Sequence, residues 1–247
     1  MSFGGADCRV VEGSSYVSTA SWLIGSEIAA AARSGSASIA LSGGSTPGPV
    51  YRELASDPRI EWKKVDVFLA DERAVPPDDP ASNFRLVQEI LVGNLGPERA
   101  PRAVHPMFVV PDGGGTVGSA PSLGKMARMY GDLLPVALDV LILGIGSDGH
   151  TASLFPGTDS LRATGKAAVS EAPVHPRQRL TIGPSVIAGA RRIFVLARGS
   201  GKQQALECAL LGGGDVNTCP ARLARCPAAI WVLDDVAGGF LRDLGPG

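Results

Sequence analysis

The chain has little of what metal and disulfide chemistry requires. Its four cysteines, Cys8, Cys208, Cys219 and Cys226, are scattered through 247 residues without any CxxC spacing. They read as reduced thiols, and no zinc site is expected. There is no lysine- or arginine-rich run, and 23 basic against 24 acidic side chains leave a net charge of -1. Neither nucleic acid nor an anionic membrane is favoured as a partner, and an anionic substrate would have to be held by local groups. No apolar stretch approaches the ~18 residues of a membrane span. The opening MSFGGADCRVVEGSS lacks the basic segment and apolar core of a secretion signal. A cytoplasmic protein is expected. No internal repeat and no clear linker divides the chain, so one domain over 1–247 is expected. Its oligomeric state is left open, a monomer included.

What the chain does have is an alternation of apolar runs and helical segments. Ser38 to Leu41, Val65 to Ala70, Val140 to Leu143, Ile193 to Ala197 and Ala229 to Leu233 read as buried strands. Helices are expected over Thr19 to Arg33, Pro47 to Leu54, Asn83 to Val92 with Ser82 as cap, Met126 to Leu134 and Lys202 to Leu211. Pro111 to Gly124 reads as a loose segment, a mobile loop or an insertion. The pattern predicts an α/β protein with an open, mainly parallel sheet and helices on both faces. In such sheets ligands bind beyond the carboxyl ends of the strands. Four polar clusters follow strands and should share that edge.

The first is Ser42-Gly43-Gly44-Ser45-Thr46-Pro47. It combines close-approaching glycine backbone, hydroxyl donors and a helix N-terminus with proline in the first helical position, as a phosphate cradle does. An ordinary turn capped by Ser45 or Thr46 reads equally well, and the GxxxxGK[ST] of a nucleotide loop is absent. The second is Asp71-Glu72-Arg73, either an exposed ion-pair cluster or an arginine placed for phosphate with two acids to orient it. The third is Gly144 to His150, which sets Asp148 and His150 on a glycine-shaped loop. It matches GxGxxG, but Pro156 and Gly157 stop any helix too early for a dinucleotide site. The fourth is Gly199-Ser200-Gly201-Lys202, with a cation at a helix start where the helix dipole disfavours it. Arg179 reads by default as a surface arginine with its stem along apolar surface. His105 and His175 each precede proline and read as loop residues.

Together, LSGGSTP (41–47), DERAVPPDDPASN (71–83), LGIGSDGHTASLFPG (143–157), RQRLT (177–181), GSGK (199–202) and CPARLARCPAAIWVLDD (219–235) occur in the order seen in the glucosamine-6-phosphate isomerase/6-phosphogluconolactonase family. The chain resembles its lactonase branch from about residue 15 to 240. The resemblance implies a Rossmann-like fold of the sugar-phosphate isomerase/lactonase type, a sugar phosphate lactone as small-molecule partner, and no metal or organic cofactor. By motif it implies His150 as the general base, with Asp148 orienting the loop or the histidine. Arg73 and Lys202 would be phosphate ligands beside Ser42, Gly43, Gly44 and Ser45, with Arg179 a further candidate. Asp71, Glu72 and Asn83 would support the site. Two other readings stay open. A glucosamine-6-phosphate type isomerase or deaminase would continue the loop toward an asparagine and a glutamate, where this chain has TASLFPG. A non-catalytic sugar-phosphate sensor would need a DNA-binding module, and no basic helix-turn-helix segment precedes the first strand.

Overall fold

A computed structural model describes residues 1–108 and 121–242. The chain opens with β1 (Ser2–Phe3), β2 (Ala6–Val11) and α1 (Tyr16–Arg33), followed by β3 (Ala37–Leu41) and α2 (Pro47–Ser56). Then come β4 (Val65–Leu69), β5 (Asp71–Arg73), α3 (Asn83–Ile90), β6 (Ala103–Val104) and α4 (Leu123–Leu133). The second half holds β7 (Val140–Gly144), β8 (Ala167–Glu171), β9 (Gln178–Ile182), α5 (Pro184–Gly189) and β10 (Ile193–Ala197). It closes with α6 (Gln203–Leu210), β11 (Ala229–Asp234) and α7 (Asp235–Arg242). Of the loose stretch expected at 111–124, residues 111–120 lie outside those described, and its last two residues, Leu123 and Gly124, are instead the first of α4.

Eight strands form one sheet in the order β1-β2-β11-β10-β7-β3-β4-β6, all parallel except β1 against β2. The central strands are Val, Ile, Leu and Ala in nearly every position, and almost every residue of β3, β7, β10 and β11 is buried. Alternate side chains of a strand point to opposite faces, so burial of all of them means that both faces are covered. This is the α/β architecture expected. The two fully buried tryptophans are tied to the frame in different ways. Trp231 donates from Nε1 to the Ala224 carbonyl at 2.9 Å, while Trp62 packs with Nε1 unpaired by any described residue. No helix among the described residues is long and apolar enough to cross a membrane.

The order of the strands fixes where a ligand can sit. From β3 the chain builds outward through β4 to β6, then returns to β7 on the other side of β3 and builds outward through β10 to β11. The direction reverses between β3 and β7. Loops leaving neighbouring strands there diverge and open a crevice at the strands' carboxyl ends.

One expectation needs correction. Asp71-Glu72-Arg73 is not a loop on the main sheet's edge. Strand β4 ends at Leu69, and the triplet is a strand of a second, antiparallel sheet, β5-β9-β8. Antiparallel pairing sets Asp71 opposite Thr181, Glu72 opposite Leu180 and Arg73 opposite Arg179. Period-two alternation therefore puts Asp71, Arg73, Arg179 and Thr181 on one face and sends Glu72 to the other.

Candidate active site

The crevice between β3 and β7 is a pocket lined by Ser42, Gly43, Gly44, Ser45, Asp71, Arg73, Asn83, Gly146, His150 and Lys202, with Thr46, Pro47, Gly144, Ile145, Ala152 and Leu196 completing it. Stretches far apart in sequence meet here, as the four clusters required. His105 and His175 do not line it; the ring of His105 stacks on Phe68 at 4.3 Å between centroids.

After β3, Ser42 donates its N–H to the Ile142 carbonyl at 3.1 Å, and the buried Tyr51 hydroxyl donates to the Ser42 carbonyl at 2.7 Å. The turn is thereby held at both ends of its first residue. Gly44 has φ +109°, a conformation open to glycine. Thr46 takes the N-cap place of α2 without a side-chain hydrogen bond, and Pro47 occupies the first turn. The turn's hydroxyls are not spent on capping. Pro47 and Pro49 remove two N–H groups from the helix start, so donors for an anion come chiefly from Gly43, Gly44, Ser45 and Thr46. The Ser42 hydroxyl is buried and meets no partner among the described residues.

After β7, the loop closes on itself: Gly146 N–H donates to the His150 carbonyl at 2.9 Å and Gly149 N–H to the Gly146 carbonyl at 3.1 Å. Asp148 Oδ1 lies 2.6 Å from His150 Nδ1 and accepts the His150 backbone N–H at 3.2 Å. Carboxylate oxygens only accept, so Nδ1 carries a proton and Nε2 of the neutral ring is a free base. The imidazole is 32% exposed and leans on Phe155, with centroids 4.6 Å apart. It is open to solvent on the pocket side rather than sealed in hydrocarbon. Gly146 is required for this pairing, because a Cβ there would stand 2.1 Å from Nδ1 and 2.5 Å from Asp148 Oδ1. Cys219 packs below Gly149, its Sγ 3.9 Å from that carbonyl. Burial pushes the Cys219 thiol up to about 12, so it is protonated filler and no nucleophile.

The acids of β5 do not orient Arg73, contrary to expectation. Glu72 is 2% exposed, and its carboxylate accepts from the N–H groups of Arg73, Asn83 and Phe84 at 2.7, 2.7 and 2.8 Å and from Ser82 Oγ at 3.0 Å. Burial pushes the Glu72 carboxyl above its ordinary range, while these donors hold it down. It anchors the start of α3, where an anion faces the helix N-terminus favourably. Ser82 caps that helix as expected, accepting from Arg85 N–H at 3.2 Å. Asp71 accepts from Ser153 Oγ at 2.6 Å and from Asn83 Nδ2 at 3.2 Å. With both acids engaged, Arg73 donates from Nη1 to the Ala81 carbonyl at 2.5 Å and carries its charge to the pocket. Asn83 also donates from Nδ2 to the Asp71 carbonyl at 2.8 Å and lines the pocket.

Arg179 is not the surface arginine of the default reading. It is 6% exposed, and Nη1 meets no acceptor among the described residues. Burial, then the charge of Arg73, holds its guanidinium below the ordinary value. It is the cross-strand partner of Arg73 and does not line the pocket. Lys202 is half-buried at the N-cap of α6 and lines the pocket. Its loop is fixed by Asp234 at the end of β11, which accepts the Gly199 N–H at 3.0 Å and the Ala237 N–H at 2.8 Å.

Sequence reasoning missed Asp234, Ser153 and Tyr51. Ser153 and Asp234 are buried and bonded to partners 82 and 35 residues away, and Tyr51 reaches back nine residues from within α2, which no local pattern announces. It also missed Ala152, which lines the pocket at φ +48°, a strained conformation for a residue bearing Cβ. Among the described residues no group of three or more His, Cys, Asp or Glu side chains is arranged to hold a metal ion.

A family model described as glucosamine-6-phosphate isomerases/6-phosphogluconolactonase matches residues 14–231. A 6-phosphogluconolactonase of Synechocystis is 35% identical over 224 residues, covering 86% of this chain and 88% of its own. One from Streptomyces coelicolor is 33% identical over 242 residues, covering 91% and 90%. The crystal structure of a 6-phosphogluconolactonase from Shewanella baltica superposes with a TM-score of 0.79 at 28% identity, covering 93% of this chain and 97% of the other.

Proposed function

The chain belongs to the glucosamine-6-phosphate isomerase/6-phosphogluconolactonase family, and from that premise we propose that it hydrolyses 6-phospho-D-glucono-1,5-lactone to 6-phospho-D-gluconate, a step of the oxidative pentose phosphate pathway. The observation that carries this reading is a single pocket with an Asp148-oriented imidazole on one wall and Arg73 and Lys202 on the others. The lactone is an activated ester, so hydrolysis needs a base for water and no covalent nucleophile.

His150 Nε2 takes a proton from water as the water oxygen adds to the lactone carbonyl carbon. Asp148 keeps Nδ1 protonated and stabilises the imidazolium that forms. When the tetrahedral adduct collapses, the bond from the carbonyl carbon to the ring oxygen breaks. The imidazolium then returns its proton to that oxygen, giving the open-chain hydroxyl. Ser42, Gly43, Gly44 and Ser45, with Arg73 and Lys202, hold the phosphate, and that remote grip orients the reacting carbon. No electron or group carrier enters the balance, so the proposal includes no cofactor. We place the protein in the cytoplasm as one domain over 1–247, with a sugar phosphate lactone and neither nucleic acid nor membrane as partner. The single contiguous core supports one domain.

Prompt assay of freshly generated lactone tests this, with the spontaneous rate subtracted. Wild type should accelerate hydrolysis, and His150→Ala should lose about 10²–10⁴ in kcat while still binding 6-phosphogluconate. A His150→Ala kcat within a few-fold of wild type removes the base. Ammonia release from glucosamine 6-phosphate in place of lactone hydrolysis would assign the chain to the isomerase branch.

A further inference from the structure

Two half-buried arginines and one buried arginine show two different uses of the guanidinium. Arg99 donates to the carbonyls of Ala55 and Asp57 at 2.8 and 2.7 Å, and Arg222 donates to those of Cys208 and Gly212, so both spend their donors on the fold. Arg179 is 6% exposed, and its enclosed Nη1 finds no acceptor among the described residues. The carboxylates closest in sequence to its cross-strand partner are engaged elsewhere: Asp71 with Ser153 and Asn83, Glu72 with Ser82 and three backbone N–H groups. Directly opposite it on β5 is a second cation, Arg73. On its other side is Ser170, already bonded to Ser160 Oγ at 3.1 Å.

Burial of a cation carries a desolvation cost, and the neighbouring charge of Arg73 adds to it; Asp71 and Glu72 attract the guanidinium and offset that cost only in part. Replacement of such a charge by an apolar side chain of similar length ordinarily stabilises a fold. A group held this way is unfavourable for the free protein and favourable only when negative charge arrives. The site for that charge is one side chain away, because Arg73 lines the pocket and Arg179 backs it.

We infer that Arg179 is a positioning charge for the anionic end of the substrate: from across the strand pair it keeps the Arg73 guanidinium turned to the pocket and adds positive charge that Asp71 and Glu72 offset only in part, at the expense of the free protein's stability. The inference rests on the pocket being a phosphate site, and it deepens that reading by dividing labour between a cation that touches phosphate and one that acts through it. It also makes the site selective for charge, since two adjacent cations reward a dianion more than a monoanion.

Arg179→Met and Arg179→Lys test it, with calorimetric titration of inorganic phosphate and of 6-phosphogluconate, and thermal unfolding with and without phosphate. Arg179→Met should bind inorganic phosphate about tenfold or more weakly. Its unfolding midpoint without phosphate should equal or exceed that of wild type, and its stabilisation by added phosphate should shrink. KM for the lactone should rise by a similar factor with kcat held within a few-fold. Arg179→Lys, which keeps the charge, should recover part of the affinity. Phosphate affinity of Arg179→Met within about twofold of wild type would overturn the inference, and so would a midpoint below wild type, the mark of a structural arginine. A loss that lysine does not recover would also overturn it, by making shape rather than charge the cause. Wild type that binds phosphate through Arg179 yet hydrolyses no lactone would sink the lactonase reading and leave this one standing. Wild type that binds no phosphate sinks both.

Discussion

Asp148 and His150 are bonded twice through one atom: Asp148 Oδ1 accepts from His150 Nδ1 at 2.6 Å and from the His150 backbone N–H at 3.2 Å. The carboxylate therefore fixes both the ring's tautomer and the turn of the loop that carries it. Asp148→Asn can present an amide N–H toward Nδ1 and so favour the other tautomer, with the proton on Nε2. Its kcat should fall about 10–100-fold with KM nearly unchanged. Steady-state kinetics check this, and an unchanged kcat would leave Asp148 a loop residue only.

Gly146→Ala should damage the same pair without touching either residue. The added Cβ would stand 2.1 Å from His150 Nδ1, far inside van der Waals contact, so the imidazole must swing away. We expect kcat to fall by at least about tenfold, while affinity for 6-phosphogluconate stays close to wild type. A variant of normal activity would show that the ring is not used in this orientation.

Arg73→Ala should act on the opposite parameter. Its Nη1 is anchored on Ala81 and its charge faces the pocket, so its loss weakens capture more than chemistry. KM should rise about tenfold or more, and raised salt should weaken the wild type more than the variant. A normal KM would remove Arg73 from the phosphate site.

Glu72→Gln should be a stability variant. An amide nitrogen in place of either oxygen faces donors instead of accepting them, at about 1–3 kcal/mol or more. The pH dependence has a definite sign. Because the folded carboxyl titrates above its unfolded value, the folded state holds more protons across that interval, and unfolding free energy falls as pH rises through it. Glu72→Gln should lack that slope. Urea titrations at a series of pH values check both statements; a midpoint equal to wild type would contradict the anchoring role.

Much of this was legible in the chain itself. The runs at Ser38, Val65, Val140, Ile193 and Ala229 are the central parallel strands, since residues buried on both faces leave an unbroken apolar signature. Glycine-rich clusters after such runs mark the ligand edge, and Ser42–Ser45, His150 and Lys202 all reached one pocket. What was hidden follows from the same physics. Asp71-Glu72-Arg73 is too short and polar to show a strand period, and nothing local reveals a partner over a hundred residues away. Hence the split of Glu72 from Arg73 onto opposite faces was missed. The burial of Arg179 is hidden because it is a property of what flanks it, here Arg73 and Ser170 on the two strands that pair with β9.

Gly43→Ala probes the seam between two of these clusters. A Cβ there would lie 1.8 Å from Asn83 Oδ1, and Asn83 is not free to yield because Nδ2 is held by the Asp71 carbonyl at 2.8 Å. The turn must move instead, shifting the anion donors. Affinity for inorganic phosphate should drop about tenfold or more; affinity equal to wild type would mean the turn takes no part in binding.

Ser42 and His150 hang from adjacent strands whose rungs run Ile39 to Val140, Ala40 to Leu141 and Leu41 to Ile142, with one further bond from Ser42 to Ile142. Backbone hydrogen bonding between the strands, continued by the bonds that close the 146–150 loop, therefore sets the span between the Ser42 turn and the imidazole. A slip of one rung would lengthen or shorten that span by about 3.3 Å and invert every side chain of the strand. The parallel ladder thus fixes the spacing from which the Ser42 turn and the 144–150 loop set out.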